Sequence, residues 1–126
     1  MARILLAEDE DPLRAMLVRA FQSEHSVVAA ADGAEALDKL VAAKGEFDLL
    51  LTDIRMPLMD GIALALSAAR DFPKLVILMM TGYADQRERA HGLDALIHDV
   101  IPKPFSLAQI RGAVNDALAA GARLHA

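Results

Sequence analysis

The sequence has no cysteine, no tryptophan, one tyrosine and four phenylalanines in 126 residues. Without cysteine there is no disulfide framework, no thiol nucleophile and no cysteine–zinc site. So few aromatics leave no stacking platform for single-stranded nucleic acid. Positive charge is also short. Thirteen Lys and Arg against eighteen Asp and Glu give a net charge of -5, the wrong sign for gripping a phosphate backbone. No apolar run approaches the roughly 20 residues of a membrane span. The apolar start Ile4–Ala7 meets Glu8 and Asp9 too early for a signal peptide. The expectation is a soluble cytoplasmic protein with neither nucleic acid nor membrane as partner, long enough for one domain with its own core.

What is present is a regular alternation of short apolar runs and amphipathic stretches. Leu49-Leu50-Leu51-Thr52 closes on Asp53 and is soon followed by Pro57. That is the length of a buried strand, not of a helix. Ile4–Ala7, Ser26–Ala29, Leu75–Met80 and Val100–Pro102 read as four more strands, the last an edge strand because Pro102 donates no ladder hydrogen bond. Between them, Leu13, Met16, Leu17, Ala20 and Phe21 recur with helical spacing, with Asp11 as expected N-cap and Pro12 in the first turn. Ala34, Leu37 and Val41 mark a second helix, ending near Gly45, and Ile62, Ala65, Leu66 and Ala69 a third. Tyr83 to Leu93 is helix-compatible but has a poor apolar face. Ser106 and Gln109 form a capping box ahead of a last helix through Leu107, Ile110, Val114 and Leu118. From Ala119 a frayed small-residue tail is expected. Five strands alternating with five helices predict a parallel α/β sheet with helices on both faces, in a domain over 1–120 with a tail at 121–126.

Four strands bring chemistry to their carboxyl ends: Glu8 and Asp9, Asp53, Thr81, and Lys103 just past the fifth. In open α/β sheets ligands bind outside those ends, and parallel strands place them on one edge. Carboxylates gathered there need a cation. Oxygen-only ligands suit magnesium, which commonly bridges to phosphate. A lysine, a hydroxyl and a magnesium ion can together neutralise a transferring phosphoryl group, and Asp53 has the chemistry of an aspartyl-phosphate nucleophile.

These residues carry a resemblance. Glu8-Asp9, Asp53-Ile54-Arg55-Met56-Pro57 with Asp60-Gly61, Thr81-Gly82 and Lys103-Pro104-Phe105 stand in the order and spacing of response-regulator receiver domains, over essentially the whole chain. The resemblance implies a flavodoxin-like (βα)5 three-layer sandwich with sheet order 2-1-3-4-5. It implies phosphorylation of Asp53 by a histidine kinase or histidine phosphotransferase, with Thr81 and Lys103 on the phosphoryl oxygens. Magnesium is then expected on Asp9, Asp53 and the backbone carbonyl of Arg55, with Glu8 acting through water, and a cis Lys103-Pro104 bond. Arg55 and Tyr83 fall at the two variable positions flanking the phosphoryl site. One departure bears on switching: the family's aromatic three residues before the lysine is Val100 here. With the receiver expected to fill the chain, output would be a binding event rather than catalysis. The runs around Ile4–Asp9, Leu49–Ile54 and Met80–Ala84 are similar to the CpdR type of stand-alone receiver. For that type the expectation is an unphosphorylated form that primes the ClpXP protease in the cell cycle, and phosphorylation that turns it off. The alternative is a CheY- or DivK-like stand-alone receiver with another target.

Other readings compete. A magnesium-dependent aspartyl phosphohydrolase would want a second carboxylate two residues after its nucleophile, where Arg55 stands. A flavin carrier on a similar sheet would meet repulsion from Glu8 to Asp11. Asp11 suits a helix N-terminus. His25, His91, His98 and His125 have no ligand spacing and read as surface or rim residues; Met56, Met59, Met79 and Met80 read as packing. Arg87, Glu88 and Arg89 read as a solvated helix face.

Overall fold

Each apolar run expected to be a strand is one. The computed structural model describes residues 1–82, 90 and 92–125. Its elements are β1 (Arg3–Ala7), α1 (Asp11–Gln22), β2 (Ser26–Ala30), α2 (Gly33–Ala42), β3 (Leu49–Asp53), α3 (Gly61–Asp71), β4 (Val76–Thr81), β5 (Asp99–Pro102) and α4 (Leu107–His125). The five strands pair in parallel in the order β2-β1-β3-β4-β5. The expected helix over Tyr83 to Leu93 falls mostly outside the described residues.

Side chains alternate across a strand, and the core splits accordingly. Leu5, Ala7, Leu50, Ile77 and Met79 pack with Ala36 and Leu40 of α2 and Leu64, Ala65 and Ala68 of α3. Ile4, Leu6, Leu49, Leu51, Leu78 and Met80 pack with Leu17 and Phe21 of α1 and Ile110, Val114 and Ala117 of α4. The sheet is thus covered on both faces, which is why its central strands are apolar throughout. Fully burying one such leucine contributes on the order of 2 kcal/mol.

The helix starts follow capping chemistry. The Asp32 carboxylate accepts from the Glu35 N–H at 2.7 Å and Asp60 from the Ala63 N–H at 2.8 Å. The Ser106/Gln109 box closes reciprocally: the Gln109 N–H donates to Ser106 Oγ at 3.0 Å and the Ser106 N–H to Gln109 Oε1 at 2.7 Å. Two expectations are corrected. The N-cap of α1 is Glu10, without a side-chain cap bond; Asp11 is already helical and its carboxylate turns to Arg14 instead. And α4 does not fray at Ala119 but runs to His125, because alanine favours helix and Gly121 lies so close to Val76 that a Cβ there would sit 2.6 Å from Val76 Cγ2. After α2 the chain reverses through Lys44 and Gly45, at φ of 55° and 74°. Among the described residues no helix is long and apolar enough to cross a membrane.

Candidate functional site

Register decides where the charged residues meet. Ala7 lies beside Thr52, and Asp53 beside Met80, so Glu8 is level with Asp53 and Thr81 stands one step beyond on the adjoining strand. The ladder continues past β1 and β5: the Glu8 N–H donates to the Ala30 carbonyl at 3.1 Å and the Lys103 N–H to the Thr81 carbonyl at 2.7 Å. Alternation therefore holds for one more residue. Glu8 follows Ile4 and Leu6, Asp53 follows Leu49 and Leu51, and Lys103 follows Ile101. All three point to the face covered by α1 and α4.

There the Lys103 ammonium donates to Glu8 Oε1 at 2.8 Å and to Asp53 Oδ2 at 2.9 Å. The other oxygen of Asp53 accepts the Ile54 N–H at 2.8 Å, and Glu8 Oε2 accepts the Glu10 N–H at 3.1 Å. Glu8 is fully buried, Asp53 and Thr81 nearly so, and Asp9 is exposed. Burial pushes the Glu8 carboxyl up to about 7, aided by the charge of Asp53 and opposed by the bonds from Lys103 and the Glu10 N–H. For Lys103 burial works against the charge, but the bonds to Glu8 and Asp53 and the two carboxylate charges outweigh it and hold its pKa above the ordinary lysine value. The Lys103-Pro104 bond is cis.

Glu8, Asp9 and Asp53 each bring one carboxylate oxygen within 4.8 Å of the others. They are the sequence's own candidates, and the donor set is oxygen only, which fits magnesium better than a soft metal. Asp9, Glu10, Asp53, Arg55, Gly82 and Lys103 line an open cavity of about 330 Å³ above them. The loop after β3 is held close. The Gly61 N–H donates to the Ile54 carbonyl at 2.7 Å, and a Cβ on Gly61 would lie 2.1 Å from the Asp53 carbonyl oxygen. Only glycine fits that approach. The Met59 N–H donates to the Pro57 carbonyl at 2.8 Å across Leu58, whose φ of 68° is uncommon for a non-glycine residue. Val100, at the position of the missing aromatic, is half-buried and packs against the core cluster that includes Met79, Leu93 and Ile97. Tyr83, Arg87, Glu88, Arg89 and His91 lie outside the described residues. Met56, Met79 and Met80 are buried and Met59 packs against the core, as expected. His98 is exposed; His25 is half-buried, its Nδ1 accepting the Ala2 N–H at 3.0 Å.

Sequence reasoning missed Arg14. Its guanidinium donates to the Glu8 carbonyl at 2.9 Å while also reaching Asp11. An arginine in the first turn of a helix, three residues after an aspartate, reads as an ordinary surface pair, and nothing in the sequence marks the second bond.

Comparison with known proteins adds the following. Residues 4–115 match the response regulator receiver domain family. The sensor kinase CckA of Brucella abortus is 40% identical over 93% of this chain, which spans 12% of that kinase's length. The response regulator receiver protein CpdR of the same organism is 40% identical over 92% of this chain and 93% of its own length. The solved structure of the response regulator TrrA of Thermotoga maritima, in complex with Mg2+-BeF, is 26% identical and aligns at a TM-score of 0.82 over 93% of this chain and 99% of its own.

Proposed function

Because the chain belongs to the response regulator receiver domain family of two-component signalling, we propose that it is a phosphorylation-controlled binding module whose phosphoryl acceptor is Asp53. The observation that carries this reading is the Lys103 ammonium bridging Glu8 and Asp53 at 2.8 and 2.9 Å beside the exposed Asp9. A strand-end carboxylate is held there against a cation, at the mouth of an open cavity.

The donor is a histidine kinase or histidine phosphotransferase. An Asp53 carboxylate oxygen attacks the phosphorus of its phosphohistidine. The new P–O bond forms as the P–N bond breaks, and the imidazole leaves with a proton from water. Magnesium on Asp9, Asp53 and the Arg55 carbonyl, with Glu8 behind it, would supply charge neutralisation to the phosphoryl oxygens. Lys103 shifts from the Asp53 carboxylate to the new phosphoryl group, and Thr81 supplies a hydroxyl donor. The Lys103 N–H is bonded to the Thr81 carbonyl, so the two residues move together. That couples the loops after β4 and β5 to the charge on Asp53 and repacks the adjoining surface. A few kcal/mol of differential contact suffice to shift such a two-state population.

The finer reading is an adaptor role. The similarity to CpdR runs nearly end to end in both chains, which supports a stand-alone cytoplasmic receiver whose unphosphorylated form engages ClpXP and whose phosphorylation releases it. Two experiments test these readings. Incubation with acetyl phosphate and magnesium should add one slowly lost phosphoryl group per chain, whereas sustained turnover of phosphate monoesters would favour a hydrolase. A pull-down with wild type and Asp53→Ala should recover ClpX with the variant; another protein retained in its place would refute the adaptor role and leave the receiver reading standing.

A further inference from the structure

We propose that Arg14 is a positioning residue that sets Asp9 for a divalent ion. The inference rests on the reading above, in which Asp9 is an ion ligand. Asp9 is exposed, and its carboxylate makes no hydrogen bond or ion pair to a described residue. Its place relative to Asp53 is therefore set by the residues on either side, and one guanidinium reaches both of those sides. Arg14 Nη1 donates to the Glu8 carbonyl at 2.9 Å, immediately before Asp9, and Nη2 pairs with the Asp11 carboxylate, two residues after it. The Arg14 N–H donates to the carbonyl of the N-cap Glu10 at 2.9 Å, an ordinary helical bond that does not depend on the side chain, so the clamp is the guanidinium alone. The Glu8 N–H and side chain tie the near side to Ala30, Glu10 and Lys103. Asp9 is the untied member of a braced loop.

The geometry needs a fork. One planar group satisfies two acceptors that flank Asp9, which an ammonium, as a point charge, does not do in the same geometry. Two effects of opposite sign separate on this basis. As a nearby positive charge Arg14 weakens cation binding; as a clamp it pre-arranges Asp9 and strengthens it. The clamp touches the neighbours of Asp9 and not its carboxylate, so its expected effect lies at the low end of the roughly 10- to 100-fold by which groups that orient a ligand change metal affinity.

Magnesium titration of the full chain by calorimetry, for wild type, Arg14→Lys and Arg14→Met, tests this. Melting in EDTA serves as the folding control. Both variants are expected to bind magnesium on the order of tenfold more weakly while staying folded in EDTA. Arg14→Lys binding as wild type while Arg14→Met binds more tightly would show a charge effect alone and overturn the clamp. Equal affinities in all three would also overturn it. A wild-type chain that takes up no magnesium would instead overturn the ion-site reading, and the clamp with it.

Discussion

Removing the ammonium of Lys103 should expose the cost of the acidic cluster, and the cost should depend on pH. In Lys103→Met the stem is kept and the charge is lost. Glu8 and Asp53 then face each other with oxygens within 4.8 Å and no cation between them. At an effective dielectric of about 20 two such charges repel by about 3 kcal/mol. Glu8 is already raised to about 7 in the folded chain, from an ordinary 4.5. The folded form therefore holds a proton that the unfolded form has lost across that window, and wild-type stability falls as pH rises from about 4.5 to about 7. The fall amounts to roughly 3 kcal/mol and then stops. In Lys103→Met the Glu8 carboxyl moves higher still, so the decline continues above pH 7. Urea unfolding in EDTA at pH 5 and pH 8.5 measures it. At pH 5 the variant should lose about 1.5 kcal/mol, the charged hydrogen bond to Asp53. At pH 8.5 the loss should reach about 3 kcal/mol. An equal loss at the two pH values would refute the claim that Lys103 neutralises a buried carboxylate.

Other consequences follow from the same structure. Gly61→Ala places a Cβ 2.1 Å from the Asp53 carbonyl oxygen; thermal unfolding should show a loss of about 1–3 kcal/mol, and acetyl-phosphate labelling should slow. Ser106→Ala removes the acceptor for the Gln109 N–H and should cost about 1 kcal/mol in urea unfolding with labelling unchanged, since Ser106 does not line the cavity above Asp53. Arg55 is exposed on the rim of the cavity above Asp53, where a bulky side chain can screen an acyl phosphate from water, so Arg55→Ala should change the rate of phosphoryl loss followed by intact mass, and an unchanged lifetime would refute that screening.

The sheet was legible because each buried strand announces itself as an apolar run of strand length, ended by a charged or polar residue. Once Ile4–Ala7, Leu49–Thr52 and Leu75–Met80 are parallel neighbours, their ends must share an edge, and Glu8, Asp53 and Thr81 follow. What stayed hidden depends on contacts rather than pattern. The small residues after Leu118 carry no apolar stripe to show where the last helix ends, and the close approach of Gly121 to Val76 is a contact that the pattern does not announce. Leu58 gives no sign of a positive φ, because glycine or asparagine is the usual marker. The first helix has Glu10 rather than Asp11 as its N-cap, and Asp11, already inside the first turn, pairs with Arg14. The same guanidinium bond to the Glu8 carbonyl has no sequence signal at all.

The central claim is that the aspartate closing β3 accepts a phosphoryl group. Peptide mass mapping of chain treated with acetyl phosphate and magnesium tests it most directly. The account predicts one added phosphoryl group, found on Asp53 and absent from Asp53→Ala. Label on another side chain, or none in the presence of magnesium, would contradict it.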